Sequence, residues 1–494
     1  MNVFLIYIRD PQFFSVSPEP VVPGAKVKII GMPPIGIMSL SAVLKRSGHR
    51  CTMFDQANPA TPDAVIIEEI ARQKPDLVGI SFLSTTSYPY AKTLVKKIRS
   101  ADKGVPLAFG GVYASLNAGL IKEQCPEVTF VCRGDGEELI LDLLSHLGDP
   151  AKVAGLTWSQ NARVMHNPDR PLNFNLDQWP FPDREGMPLE YVESMPLDVP
   201  VIMSKKRFTV MQTSRGCPCA CAYCNIPTFG QRKWRYRSAR HVLDELAHLQ
   251  ELGYGVVYFV DDNFLLQPKR IEEICRGVHD MNITLEWGCE GRVDSVAQHL
   301  FPIMARANCR SLMFGIESGS QRVLDRLNKK QTLDQIRRAV SDAKKAGIRL
   351  VHGFFVVGVP DEKIEDIRAT FDFAARIKLD TYSFNRLCVY RTTPLWDEYV
   401  KRGLIDDAAD WEKYFKCSDI DPTCLPGEVI NRERKNGFSR IFAYKLTHYP
   451  IQTLLLVMRL TRYMAFGDIV YLIFKPFLKG NRRVPVQQVP PIKP

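Results

Sequence analysis

Twice along its length the chain repeats one unit, a short β-type run followed by a helix-length segment, and that rhythm restricts it to α/β architectures. Over residues 1–150 the runs are Val3–Ile8, Cys51–Phe54, Leu77–Phe82, Leu107–Phe109 and Val128–Cys132. Helical patterns lie near Ser39–Ser47, Ala64–Arg72, Tyr90–Ser100 and Gly136–Leu147. The alternation predicts a doubly wound parallel sheet with helices on both faces. Over 206–400 it resumes with strands at Thr209–Thr213, Val256–Val260, Thr284–Cys289, Ser311–Ile316, Leu350–Val357 and Tyr382–Val389. Longer helices follow near Ser238–Leu252, Lys269–Met281, Val296–Ala307, Thr332–Ala346 and Lys363–Arg376. Six such units fall short of the eight that close a full barrel, so the expectation is an open (β/α)6 partial barrel. Residues 151–205 lose the rhythm and collect prolines, as in Trp179-Pro180-Phe181-Pro182, which predicts an extended connector. Residues 401–494 lose it again and are expected to form a helical C-terminal region. There Trp411 to Phe415 and Leu454 to Phe477 look helical, and the Pro- and Gln-rich last dozen residues are expected to be disordered.

Folds of both kinds bind ligands beyond the carboxyl ends of their strands. In the first half those ends carry Ser84 and Thr85, the pair Gly110-Gly111, and Gly134 within Arg133-Gly134-Asp135. Glycines admit close approach of a large ligand, and hydroxyls can donate hydrogen bonds to it. No G-x-G-x-x-G follows the first strand, which disfavours a nicotinamide cofactor.

In the second half the first strand leads into Arg215-Gly216-Cys217-Pro218-Cys219-Ala220-Cys221-Ala222-Tyr223-Cys224. Cys217, Cys221 and Cys224 read C-x3-C-x2-C, so three thiols converge on one centre. A closed zinc site wants four ligands, commonly as two separated pairs, and no second C-x2-C or H-x3-5-H occurs. An iron–sulfur cluster on three thiolates, with one iron left open, suits the spacing better. Cys219 is a fourth thiol inside the loop. The following strand ends hold Asp261-Asp262, then Glu290 and Arg292, then Glu317, then Gly358-Val359-Pro360. Unpaired charges there are costly unless a polar ligand takes them, or unless they cap helices.

The cysteine loop, with Tyr223 before its last thiol, resembles the signature of the radical S-adenosylmethionine (SAM) enzymes. The arrangement of residues 1–150 resembles the cobalamin-binding domain that precedes many of them. Together the likeness spans about residues 1–400, to the cobalamin-dependent class of methyltransferases and anaerobic cyclases. It implies a [4Fe-4S] cluster on Cys217, Cys221 and Cys224, SAM on its open iron, and cobalamin on the first domain. By the same likeness Tyr223 borders the SAM site, and Asp262 and Glu317 sit near the SAM amino group or ribose. Glu290 joins that set, Arg292 lies near the carboxylate, and Gly358 to Pro360 run along the adenine. Ser84, Thr85, Gly110, Gly111 and Gly134 would line cobalamin, with the Ser84–Thr86 region below it. His49 and His146 lack the D-x-H-x-x-G context, so no histidine is expected to ligate cobalt. The implied activity is methylation of an unactivated carbon in a small-molecule, lipid or tetrapyrrole substrate, with electrons from a flavodoxin- or ferredoxin-type donor. Oxidative cyclisation or rearrangement is the neighbouring alternative. A non-catalytic cobalamin or metal sensor would leave the strand-end carboxylates without a role. Relatives often carry a P-G-T-P-type turn after the sixth barrel strand; Arg391-Thr392-Thr393-Pro394 departs from it.

Thirteen cysteines, mostly single in apolar runs such as Cys51, Cys132 and Cys275, suit a reducing cytoplasm, and Met1 to Asp10 lacks the form of a signal peptide. The net charge of +11 is compatible with nucleic acid or an anionic membrane. A tRNA modifier of this class would want extra N-terminal cluster cysteines, and Cys51 and Cys125 do not cluster, so no nucleic-acid partner is expected. The stretch Leu454–Phe477 is interrupted by Arg459, Arg462, Asp468 and Lys475 and is not expected to span a membrane. It either packs on the barrel or lies at the inner membrane surface, helped by Lys475, Lys479, Arg482 and Arg483.

Overall fold

A computed structural model describes residues 1–9, 15–16, 26–192, 206–406 and 425–460. Its N-terminal sheet has seven strands in the order Arg50–Asp55, Asn2–Tyr7, Leu77–Ser81, Leu107–Gly110, Phe130–Cys132, Leu156–Gln160 and Arg163–His166. The first five are parallel and sit where the alternation predicts them. Their period-2 pattern fills both faces. Phe4 and Ile6 pack with Ile66, Leu94 and Ile98 on one side. Val3 and Leu5 pack with Met38, Leu44 and Leu143 on the other. Sequence order reverses between Asn2–Tyr7 and Leu77–Ser81, and such a switch point opens a crevice at the carboxyl edge.

The stretch expected to be a plain connector is more structured than that. Leu156–Gln160 and Arg163–His166 form an antiparallel hairpin that extends the sheet, and Leu189–Val192 pairs with Val27–Ile30 in a small separate sheet. The hairpin turns on Asn161 and Ala162, both in the left-handed region at φ 50° and 62°. Such a turn usually announces itself by a glycine; here an alanine stands in its place, so the sequence hides it. The residues 193–205 at the end of that stretch lie outside the described part.

The second sheet is parallel throughout, its six strands in chain order: Phe208–Met211, Val256–Phe259, Glu286–Gly291, Cys309–Glu317, Leu350–Val357 and Thr381–Arg386. Its outer face carries the helices Ala239–Glu251, Pro268–Asp280, Leu333–Lys345 and Ile364–Arg376, whose apolar sides form the largest core of the molecule. The inner face presents Phe208, Val210, Tyr258 and Met313, and Met32 and Ile35 of the N-terminal region pack against it. Among the described residues the first and last strands are not paired, so the barrel is open there.

A 22-residue helix, Gly427–His448, lies on the last outer helix, within the C-terminal region expected to be helical but at a position the pattern did not mark. A side chain at Gly437 would meet the Phe371 ring at 2.2 Å, which explains a glycine in mid-helix. The shorter helix Pro450–Leu460 covers the start of the predicted Leu454–Phe477 segment. The rest of that segment, and Trp411 to Phe415, lie outside the described residues. Among the described residues no helix is long and apolar enough to cross a membrane.

Candidate active site

The carboxyl edges of the two sheets meet, and buried ion pairs fasten them together. Arg215, directly before the cysteine loop, donates to Glu137 (3.1 Å for Nη1) at the start of the N-terminal helix Gly136–Ser145, and pairs with Asp135 at 3.4 Å. Arg235, almost fully buried, pairs with the same Asp135 and donates to the Asn173 carbonyl at 3.0 Å. Arg215 and Arg235 lie opposite each other in a two-residue antiparallel ladder. The cysteine loop is therefore tied directly to the far domain.

Gly216 opens that loop. Its φ is +83°, and a side chain there would stand 2.3 Å from the Lys233 carbonyl, so only glycine fits. Its N–H donates to Asp262 Oδ2 at 2.8 Å. Farther along, Ala222 N donates to Leu327 O and Leu395 N to Ala222 O, which holds the loop between two helix ends. Cys221 is buried and Cys217, Cys219 and Cys224 are half-buried. Cys221 Sγ accepts from Arg292 Nη1 at 3.4 Å. Cys219 is hydrogen-bonded by Cys217 and faces the charges of Arg292 and Lys329, which bring its thiol down to about 6. Among the described residues no three His, Cys, Asp or Glu side chains are gathered as a single-ion site requires.

The expected charges at the strand ends divide into two groups. Asp261 is buried and its oxygens are taken by the chain itself, accepting from Thr213 N (2.6 Å) and Ser214 Oγ (2.6 Å). Glu317 is satisfied by the chain itself, accepting from Lys329 Nζ at 2.7 Å and Tyr223 Oη at 2.8 Å. A register shift at Gly315 and a φ of 69° at Glu317 turn its side chain toward Lys329. The pair supplies Glu317 with a counter-charge from within the chain, so its charge does not depend on a ligand. Lys329 carried no sequence signal, since it arrives from beyond the helix Gln321–Arg326. Arg292 is likewise paired, with Asp294 at 2.9 Å, while its third nitrogen faces Cys221.

Asp262 and Glu290 form the second group. They end adjacent strands, and among the described residues neither makes an ion pair. Crowding by protein and the charge of Asp261 push Asp262 up to about 6, although the residue is exposed to water. Burial pushes Glu290 up to about 7 against the hydrogen bond from Tyr258 (2.9 Å), and Asp262 adds to the rise. Two carboxylates at raised pKa without a counter-charge fit a bound cation. The neighbouring Asn263 Oδ1 is buried with no hydrogen-bond partner. At the fifth strand end Gly358 (φ +85°) and Val359 donate to Glu362 Oε2 at 2.6 and 3.1 Å, and Pro360 is buried beside them. Glu362 Oε1 is left without a partner.

On the facing edge Ser84 accepts from Ser87 N and opens the short turn Thr85–Ser87, next to the switch point. Gly111, at φ +101°, comes so close to the Phe82 carbonyl that a side chain would stand 2.4 Å from it. Gly110 and Gly134 differ: a side chain on either would meet nothing within 4 Å, so both border open space. A cavity of about 310 Å³ lies between the edges, with Ser115, Gly134 and Arg170 on one side and Phe229, Gln231 and Thr392 on the other. Thr392 (φ 70°) belongs to the turn that departs from its relatives' pattern, and its carbonyl accepts from Thr228 just past the cysteines. His49 and His146 point elsewhere, to the amino terminus and to Asp142.

Residues 211–374 match the radical SAM superfamily and residues 26–144 match the B12 binding domain. An uncharacterised methyltransferase of Pyrococcus horikoshii is 31% identical over 410 residues, 82% of this chain and 86% of the relative. An anaerobic magnesium-protoporphyrin IX monomethyl ester cyclase of Rubrivivax gelatinosus is 26% identical over 85% of this chain and 75% of its own. The structure of the radical SAM methyltransferase TsrM from Kitasatospora setae superposes with a TM-score of 0.69, at 17% identity, over 96% of this chain and 99% of that one. The chain thus belongs to the radical SAM superfamily, in the branch that carries a B12-binding domain, and is an enzyme of a [4Fe-4S] cluster, SAM and cobalamin.

Proposed function

We propose that the enzyme transfers a methyl group to an unactivated carbon of a small-molecule, lipid or tetrapyrrole substrate held between the two carboxyl edges. The observation that carries this reading is the pairing of Arg215 with Glu137 and Asp135, which brings the cysteine loop against the B12-binding edge. When bound, the cluster and SAM supply a hydrogen-abstracting radical, and cobalamin supplies the methyl group.

The chain's own residues divide the remaining work. Cys217, Cys221 and Cys224 would hold the cluster, and Arg292 donates a hydrogen bond to Cys221 Sγ. Asp262 and Glu290 offer a seat for the SAM ammonium, and the Gly358–Pro360 backbone flanks it. Glu317, Lys329 and Tyr223 form a neutralised unit that braces the loop from behind. Ser84, Thr85, Gly110 and Gly134 line the cobalamin side, and the close packing of Gly111 shapes it. Single electrons come from a flavodoxin- or ferredoxin-type donor. The enzyme works in the cytoplasm, with a membrane surface among its contacts.

The reading is tested by anaerobic turnover with SAM labelled in its methyl group. A substrate-derived product carrying the labelled methyl, found by mass spectrometry, supports it. The likeness to the cyclase favours a second reading, oxidative ring closure, in which the product lacks the label and has lost hydrogen.

A further inference from the structure

The helix Pro450–Leu460 turns large apolar side chains to solvent: Ile451, Leu454 and Leu455 are 73%, 60% and 48% exposed. Their spacing, i, i+3 and i+4, places them on one face, and Leu446 of the preceding helix adds a fourth at 46%. Elsewhere among the described residues large exposed apolar side chains, such as Leu83, Phe174 and Leu404, are scattered along the chain. Scattered exposure is ordinary, whereas a contiguous apolar face calls for something to cover it.

The sequence around this face says what kind of surface that is. Residues 451–494 hold seven cations, Arg459, Arg462, Lys475, Lys479, Arg482, Arg483 and Lys493, against one acid, Asp468. Seven minus one gives +6, more than half of the chain's +11 in its last 44 residues. Aromatic residues, Tyr463, Phe466, Tyr471, Phe474 and Phe477, are interspersed among these charges. An apolar stripe continued by a basic, aromatic-rich segment is the composition of an element lying in the headgroup plane of a bilayer. The basic excess selects anionic headgroups, each nearby Lys or Arg adding to the attraction. A protein groove would be served by the apolar stripe alone and gives no reason for the basic run.

We propose that the face formed by Ile451, Leu454 and Leu455 docks on the surface of an anionic phospholipid bilayer. The docking rests on the membrane contact in the function given above and specifies its surface. It would hold the enzyme where apolar substrates are dissolved.

The test uses the full-length, cluster-loaded protein and sedimentation with vesicles of phosphatidylcholine, with or without about one-third phosphatidylglycerol. Binding about tenfold stronger to the anionic vesicles, falling as salt is raised, is expected. The triple variant Ile451→Ser, Leu454→Ser, Leu455→Ser should lose about tenfold or more of that binding while keeping its iron content and melting temperature. Equal sedimentation with and without anionic lipid overturns the proposal. So does a triple variant that binds vesicles normally. A triple variant that dissociates from dimer to monomer, or melts several degrees lower with vesicle binding intact, also overturns it, because the face is then covered by protein. Labelled product formed by a variant that no longer binds vesicles would leave the reaction standing and confirm that docking is separate. Vesicle binding without any labelled product would sink the methyl-transfer reading alone.

Discussion

The two facing edges are built from opposite materials. The barrel edge is made of thiols and charges: Cys217 to Cys224, Asp262, Glu290, Arg292 and the Glu317–Lys329 pair. Apart from the clamp residues Asp135 and Glu137, the B12-binding edge is shaped by backbone at Gly110, Gly111, Gly134 and the Ser84 turn. Ionic chemistry needs particular side chains, so a substitution there removes a reacting or pairing group. A site shaped by backbone needs the absence of side chains, so a substitution there adds bulk. The contrast predicts different failures on the two sides.

The largest effect belongs to the thiols. Cys217→Ala, Cys221→Ala or Cys224→Ala should each take anaerobically reconstituted protein from about four irons per chain to nearly none. Cys219→Ala should retain most of the iron. Iron and sulfide analysis checks this, and survival of the cluster in Cys217→Ala with its loss in Cys219→Ala would reverse the ligand assignment.

Next in size are the two kinds of carboxylate on the barrel edge. Glu317→Gln leaves buried Lys329 without its counter-charge and should cost about 3 kcal/mol of stability. Asp262→Asn has no such partner to strand. It should instead weaken SAM binding by roughly ten- to hundred-fold, measured by calorimetry, with little change in melting temperature. The pH dependence sharpens the difference. Asp262 in the free enzyme binds a proton up to about pH 6, well above the unfolded value of about 3.9, so its protonation favours the folded state and that contribution is lost as pH rises through about 6. A cationic ligand pairs with the ionised form, so SAM affinity should fall as pH drops below about 6, and Asp262→Asn should abolish that fall. An equal pH profile in the variant would remove Asp262 from the SAM site.

The smallest effects come from the glycine edge and separate shape from contact. Gly111→Ala should destabilise by about 1–3 kcal/mol, because the Phe82 carbonyl stands in the way. Gly110→Ala meets only open space and should leave stability nearly unchanged while lowering retention of hydroxocobalamin on desalting. Normal retention would place cobalamin away from Gly110.

The same contrast explains what could be read from the sequence. Clustered cysteines announce themselves, and so does the βα rhythm that places them after the first barrel strand. Charges at strand ends were visible, but their partners were not. Lys329 reaches Glu317 from beyond a helix, and Thr213 and Ser214 occupy Asp261, and neither fact has a local pattern. That is why Glu317 and Asp261 read as ligand candidates alongside Asp262 and Glu290, which make no ion pair among the described residues. The hairpin of residues 156–166 was missed because its turn lacks a glycine, and the C-terminal region was read as helical without placing Gly427–His448, whose apolar residues form no regular stripe. The clamp of Arg215 and Arg235 on Asp135 and Glu137 joins residues 78 to 100 positions apart, which spacing cannot reveal.

That clamp carries the central claim, that both cofactors serve one substrate site. With cluster and cobalamin loaded, partial reduction gives two paramagnetic centres, and EPR reads whether they sense each other. The expected result is a cob(II)alamin signal broadened by the reduced cluster, and sharpened again in the double variant Arg215→Ala, Arg235→Ala, which removes both arms of the clamp. An unperturbed signal in the fully loaded native enzyme would contradict it.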